Sequence, residues 1–351
     1  MELFNLLFAL LSSIPSILAL SFPSNAADSP SFNTHDPVSI LDAYGPSPGY
    51  ADWLQSGIRE PGPLDHKKRR VVRYCFADQE TRDKLKCAFE NAITLWSDAL
   101  GGPSNPKTGH SLFFKEVKGP DGQHAFCFKG NYDAKKKEGA WNNGVVAPDT
   151  LVVAIVPDQP PRSTTGYIPS EESDKPWRHF MELPPDVQRS DRNHIIAHEI
   201  GHVLGMVHEH SRNDRDDFVE YHCSMVKGFR PAMLKAIANN IPPEEAKRKL
   251  CEDFKFAAEY GFAGRDFIKG GNRPGLLIDG DSGFDFESIM LYPSFAFSVD
   301  EHKCMEDRRL CPLVKIKKKD GQKVGTEFIG ENTVPSREDC DFVRKYYPFG
   351  G

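Results

Sequence analysis

The residues from His198 to His208 read His198-Glu199-Ile200-Gly201-His202-Val203-Leu204-Gly205-Met206-Val207-His208. They place three imidazoles and a carboxylate at spacings that suit one metal ion, in the form HExxHxxGxxH. On a helix, His198 and His202 stand at i and i+4, so they project from one face about one turn apart. Glu199 is one residue on, which sets its carboxylate beside a metal rather than on it. Gly205 can take positive φ at little cost, so the chain can stop the helix there and bring His208 round as a third nitrogen. Three neutral imidazoles leave a fourth position for water, the pattern of a catalytic zinc site rather than a closed structural one. Zinc lowers the pKa of such a water towards ~7, and Glu199 is placed to take its proton. The bland alternative is a polar helix with ordinary core and surface histidines. The glycine and the third histidine at matching distances argue against it.

The helix that must carry these groups runs from about Asp191 to Leu204. Upstream, Val71–Phe76 reads as a strand. A helix follows, capped by Asp78, with Leu85, Phe89, Ile93, Trp96 and Leu100 at helical spacing, and Gly101-Gly102-Pro103 ends it. Leu112–Val117, Ala125–Phe128 and Leu151–Val156 read as further strands, followed by a polar loop. Downstream, 224–283 holds a pair of helices over about 229–240 and 243–260, expected to serve packing. Ser336-x-x-Asp339 forms a capping box before a helix through Tyr346. Lys315, Lys317, Lys318 and Lys319 are expected on a solvated strand edge. Strand, helix, strands, helix, irregular stretch and helix make an α+β order in one domain.

The chain has 351 residues, 39% hydrophobic and 27% charged, with a formal net charge of -6. This balance excludes wholesale disorder and offers no basic excess for nucleic acid. Met1–Leu20 is apolar but interrupted by Ser12, Ser13 and Pro15, and small residues follow at Ser24 and Ala26. We read residues 1–21 as a secretory signal, cleaved somewhere within 19–27. Residues 22–70 read as a pro-segment or loose tail ending in Lys67-Lys68-Arg69-Arg70, which is either a processing site or a solvated basic run. The folded domain is expected over 71–349. No later stretch approaches a membrane span, so no stable membrane insertion is expected after signal cleavage. Eight cysteines behind a signal suggest disulfides, with the connectivity open, and no CxxC pair suggests a cysteine zinc site.

Beyond His208 the run Glu209-His210-Ser211-Arg212-Asn213-Asp214-Arg215-Asp216-Asp217-Phe218-Val219 resembles the astacin family of metzincin metallopeptidases. Ser288, Met290 and Tyr292 resemble that family's Met-turn, SxMHY, with Leu291 in place of the usual histidine. Ile329–Tyr347 resembles its C-terminal helix. The resemblance implies a metzincin-like fold: a twisted mixed sheet with helices above a cleft, and an irregular lower part ending in a C-terminal helix. It implies one zinc ion on His198, His202 and His208, with Glu199 as base. It further implies Met290 as an apolar floor, Tyr292 as a switchable ligand that stabilises the oxyanion, and Glu209 as the anchor of the mature amino terminus. The implied activity is that of a secreted, monomeric zymogen cutting protein or peptide substrates. The chain departs from the family in several places. His208 to Met290 is long, which suggests an insertion. Pro184–Asn193 lacks the usual cysteine. The pro-segment motif FxGD is missing, with Asp42, Asp52 and Asp65 as possible substitutes. A zinc protein of this fold that binds without cutting, or a peptidase of another metzincin family, are the alternatives. The presence of both Glu199 and Tyr292 weighs against the first.

Overall fold

The computed structural model describes residues 64–350, apart from 134, 135, 137, 169, 171, 172 and 271–282. The expected signal and nearly all of the expected pro-segment, with Asp42 and Asp52, lie outside the described residues. Asp65 is within them, and its carboxylate accepts from the main-chain N–H of Lys67 and Arg69 while pairing with the Arg69 side chain. The basic run therefore forms a turn, with Lys67 and Lys68 exposed and Arg70 buried at the start of the first strand.

A five-stranded sheet has the order β2-β1-β5-β7-β6. Its members are β1 (Arg70–Phe76), β2 (Leu112–Glu116), β5 (Leu151–Ile155), β7 (Phe180–Leu183) and the short edge strand β6 (Arg162–Ser163). All neighbours pair in parallel except β6, which runs antiparallel to β7. The sheet is thus mixed, and with its helices the class is α+β, as the element order in the sequence implies.

Alternation along β1 sorts its side chains between two layers. Tyr74 and Phe76 face a core built with helix α1 (Gln79–Ala99), helix α2 (Asn193–Val203) and the last helix, α7 (Arg337–Tyr346). Cys75 and Ala77 face the other way, under the hairpin of β3 (Phe128–Asp133) and β4 (Glu138–Trp141). Helix α1 begins where Asp78 accepts from the N–H of Thr81 at 2.8 Å, and it buries Leu85, Phe89 and Trp96. Its exposed face carries the i,i+4 pairs Glu80–Lys84 and Lys86–Glu90.

Among its described residues the inserted stretch forms three α-helices where a pair was expected: α3 (Phe229–Ala238), α4 (Pro243–Glu252) and α5 (Phe254–Glu259). The break falls at Asp253, whose side chain caps α5 by accepting from the N–H of Phe256. These helices surround a second core of Leu250, Phe262 and Phe267. Beside it β8 (Val219–Tyr221), β9 (Leu313–Lys319) and β10 (Gln322–Glu327) form an antiparallel sheet in the order β10-β9-β8. A short helix, α6 (Glu301–Glu306), precedes β9 along the chain.

Three further expectations shift. The strand expected over Ala125–Phe128 begins at Phe128, because Cys127 is bonded to Cys75 and its N–H donates to the Phe76 carbonyl, which ties 125–127 to the end of β1. The lysine-rich stretch occupies the middle strand of its sheet, with β10 at the edge. Strand β7 lies in what reads as polar loop; three of its four residues are buried, which leaves no alternation to read.

Six cysteines form three disulfides, Cys75–Cys127, Cys223–Cys251 and Cys304–Cys311, while Cys87 is free and exposed and Cys340 is free and buried. No described helix is long and apolar enough to cross a membrane.

Candidate metal centre

Helix α2 is fixed from two sides before any ligand is considered. The indole N–H of Trp96 donates to the Ala197 carbonyl at 2.8 Å, and the Tyr347 hydroxyl donates to the Leu204 carbonyl at 3.0 Å. One bond comes from α1, near the start of the domain, and the other from just beyond α7. Ile196 and Ile200 face the core while His198 and His202 face away from it. After Val203 the chain turns at Gly205, which has φ of 102°, a region that favours glycine. The turn delivers His208.

The three ring nitrogens converge. Nε2 of His208 lies 3.2 Å from Nε2 of His198 and 3.1 Å from Nε2 of His202. Nδ1 of His198 donates to the Ile289 carbonyl at 2.7 Å, and Nδ1 of His202 donates to the Met206 carbonyl at 2.8 Å. With their protons held at Nδ1, both rings turn Nε2 lone pairs inward. Lone pairs this close repel one another unless a cation lies among them. Tetrahedral bonds of about 2.0–2.1 Å to zinc separate neighbouring nitrogens by roughly 3.3 Å, close to the spacing seen. Burial pushes His198 down to about 4 and His202 down to about 3, and His208 well down too, so all three are neutral at pH 7. The donor set fits zinc.

Glu199 is buried beside this point. Burial pushes its carboxyl up to about 7, against the opposing effect of a hydrogen bond from Ser163. The Ser163 hydroxyl lies 2.7 Å from Oε2 of Glu199 and 3.0 Å from its main-chain carbonyl. Tyr292 has its ring 4.3 Å from that of His208 and 5.9 Å from that of His198. Burial raises the Tyr292 phenol well above its ordinary value, so it keeps its proton at neutral pH.

Met290 is buried, and its sulfur lies against α2 at Gly201, where an added Cβ would come within 2.4 Å of Sδ. The turn around Met290 is held from α7. Asp339 accepts from the Ser288 hydroxyl at 2.7 Å, the Ile289 N–H at 2.8 Å and the Ser336 N–H at 2.8 Å. The capping box legible in the sequence is therefore also the clamp on this turn. Glu209 accepts from Arg212 and from the Asp285 N–H, each at 2.9 Å, and its own N–H donates to the Met290 carbonyl.

Sequence reasoning singled out the three histidines that converge, but not Ser163, Gly201 or the region of Asp266. Ser163 sits in a two-residue strand with no periodicity to mark it. Gly201 carried a signal, a glycine inside a helix. His210, two residues beyond His208, is fully buried, stacks on His208 and meets the Asp266 carbonyl through Nε2 at 3.1 Å. Phe267 packs against both His210 and Tyr292. The end of the insertion thus reaches the underside of the site, a role beyond the packing expected of it.

Residues 187–240 match the peptidase family model described as Astacin. The match spans helix α2, the turn to His208, β8 and the first helix of the insertion. Among its relatives is zinc metalloproteinase nas-14 of Caenorhabditis elegans, 32% identical over 104 residues, which covers 30% of this chain and 14% of that protein. Another is astacin-like metalloprotease toxin 1 of Loxosceles intermedia, 32% identical over 108 residues, covering 31% of this chain and 27% of the relative. The chain therefore spans well under a third of the length of either astacin relative. Among solved structures, the hatching enzyme zinc-protease high choriolytic enzyme 1 of medaka aligns over 81% of this chain and 92% of its own, at 17% identity and a TM-score of 0.42.

Proposed function

We infer that this chain is a zinc-dependent endopeptidase of astacin type that hydrolyses peptide bonds in protein or peptide substrates. The observation that carries this is the convergence of three Nε2 lone pairs, at 3.1 and 3.2 Å, beside the buried Glu199 carboxyl. His198, His202 and His208 would hold one zinc ion, which when bound supplies Lewis acidity to a water and to the scissile carbonyl.

The protein's own residues do the remaining work. Glu199 takes the proton of the attacking water and returns it to the leaving amine; burial has brought its pKa to about 7, the range a base needs at neutral pH. Tyr292 keeps its proton and donates a hydrogen bond to the developing oxyanion. Carbonyls of Ile289 and Met206 fix the ring orientations of His198 and His202, and Met290 closes the floor on the α2 side. Glu209 ties the floor to the metal segment through Arg212 and Asp285, which supports a structural role for it alongside any part in binding an amino terminus.

The same reading takes residues 1–21 as a secretory signal, 22–70 as a pro-segment, and 71–349 as the catalytic domain with its insertion at 224–283. Three disulfides support an oxidising compartment and hence secretion. We take the active form as a monomer. The test is digestion of a mixed peptide library by the purified protein, with Glu199→Gln alongside and cut sites read by mass spectrometry. Cuts made by the wild type and missing from the variant are expected. A zinc-loaded wild type that makes no cuts, even after limited proteolysis near Arg70, overturns the peptidase reading in favour of a zinc protein that binds without cutting.

A further inference from the structure

We propose that Ser163 is a positioning residue for the Glu199 base: its hydroxyl holds Oε2 and so reserves Oε1 for proton transfer. This rests on the peptidase reading above.

Three observations carry it. First, Ser163 Oγ is 2.7 Å from Oε2 of Glu199, the length of a charge-assisted hydrogen bond. A carboxylate has two oxygens and a free torsion at its end. A base that must meet a water at one place gains from having one oxygen tethered. Second, the serine is itself immobilised. It lies on the edge strand β6, paired opposite Met181, and its neighbour Arg162 forms an ion pair with Glu182 on β7. The next residue, Thr164, donates its N–H to the Phe180 carbonyl and its hydroxyl to the Arg178 carbonyl. Third, the same few residues grip the helix that carries the base. Besides its contact with the Glu199 carbonyl at 3.0 Å, this stretch supplies the Gly166 N–H, which donates to the His202 carbonyl at 2.8 Å. The edge strand and the base therefore form one unit, and the Ser163 hydroxyl is the hydrogen-bonding side chain that β6 presents to the carboxylate.

A serine that merely braced the helix would act through its bond to the Glu199 carbonyl and through its shape. The two roles separate in a set of variants of the full chain: Ser163→Ala, Ser163→Thr and Ser163→Val. Threonine and valine have the same outline, and only threonine keeps the hydroxyl. Peptide cleavage, bound zinc and thermal midpoint are measured for each. We expect Ser163→Ala and Ser163→Val to lose about tenfold in kcat with KM changed less than about twofold, the signature of an interaction that matters in the transition state. Bound zinc stays at the wild-type level, and Ser163→Thr recovers most of the rate. Equal rates for the threonine and valine variants, or a loss that tracks zinc content or thermal midpoint, overturn the positioning role while leaving the peptidase reading intact. A zinc-loaded wild type that cuts no peptide overturns both.

Discussion

Glu199 and Tyr292 approach the same point from different parts of the chain, and their contributions separate by substitution. Glu199→Gln keeps the shape and removes the proposed base, so zinc content is expected to stay unchanged while kcat falls by at least about a hundredfold. Comparable turnover in that variant would remove Glu199 from the chemistry. Tyr292→Phe removes the proposed donor to the oxyanion and should raise the barrier by about 1–3 kcal/mol, read from kcat/KM on a single peptide. These two residues, with the three histidines, were legible because motif spacing is a local property of a helix and a turn. Ser163 was not legible. Its importance comes from a strand pairing that brings it to a residue far along the chain, and a two-residue strand leaves no pattern to read.

At the scale of elements, helix α2 and the turn around Met290 are fitted to one another. Gly201→Ala puts a methyl where Sδ of Met290 sits, and overpacking of this kind costs about 1–3 kcal/mol. If the clash is the cause, adding Met290→Ala to Gly201→Ala should cost less than the two separate losses combined, measured by denaturant unfolding. A strictly additive pair would place the cause elsewhere. Asp339→Ala leaves buried donors of Ser288, Ile289 and Ser336 without their acceptor and is expected to cost roughly 3 kcal/mol, with faster loss of zinc to a chelator. Helix α1 was readable from apolar spacing and its cap, α7 from its capping box, and α2 from the spacing of its histidines. Strand β7 was not, since an interior strand of four residues owes its place to neighbours rather than to its own alternation. Asp253 could be read as one residue in a long helix, and only its cap on Phe256 divides α4 from α5.

The whole molecule carries several imidazoles buried in the neutral state. His179, His198, His202 and His210 are pushed down to about 3 or 4 by burial, below the value of 6.5 they have when exposed. The unfolded chain therefore binds more protons than the folded one below pH 6.5. Stability from these groups is full above that value and is lost as pH falls towards 4 and then 3. Glu199 and Glu209 have the opposite sign: with burial raising each to about 7, they favour the metal-free fold below pH 4.5 and that contribution fades as pH rises through 7. The four imidazoles, joined by His208, which is also pushed down, outweigh these two carboxyls, so the metal-free protein is expected to show a falling thermal midpoint between pH 6.5 and 4. A midpoint that rises over that range would contradict the burial of these rings.

The clamp from Asp339 onto the Met290 turn has a bearing on how the protein is made. A ribosome releases His198, Glu199, His202 and His208 long before it reaches Asp339. At roughly 5–20 residues per second, a nascent chain carries these histidines for on the order of ten seconds before the acid that clamps the turn beneath them exists. A chain halted before residue 339 holds all three histidines, yet nothing from α7 secures the turn against which their helix packs.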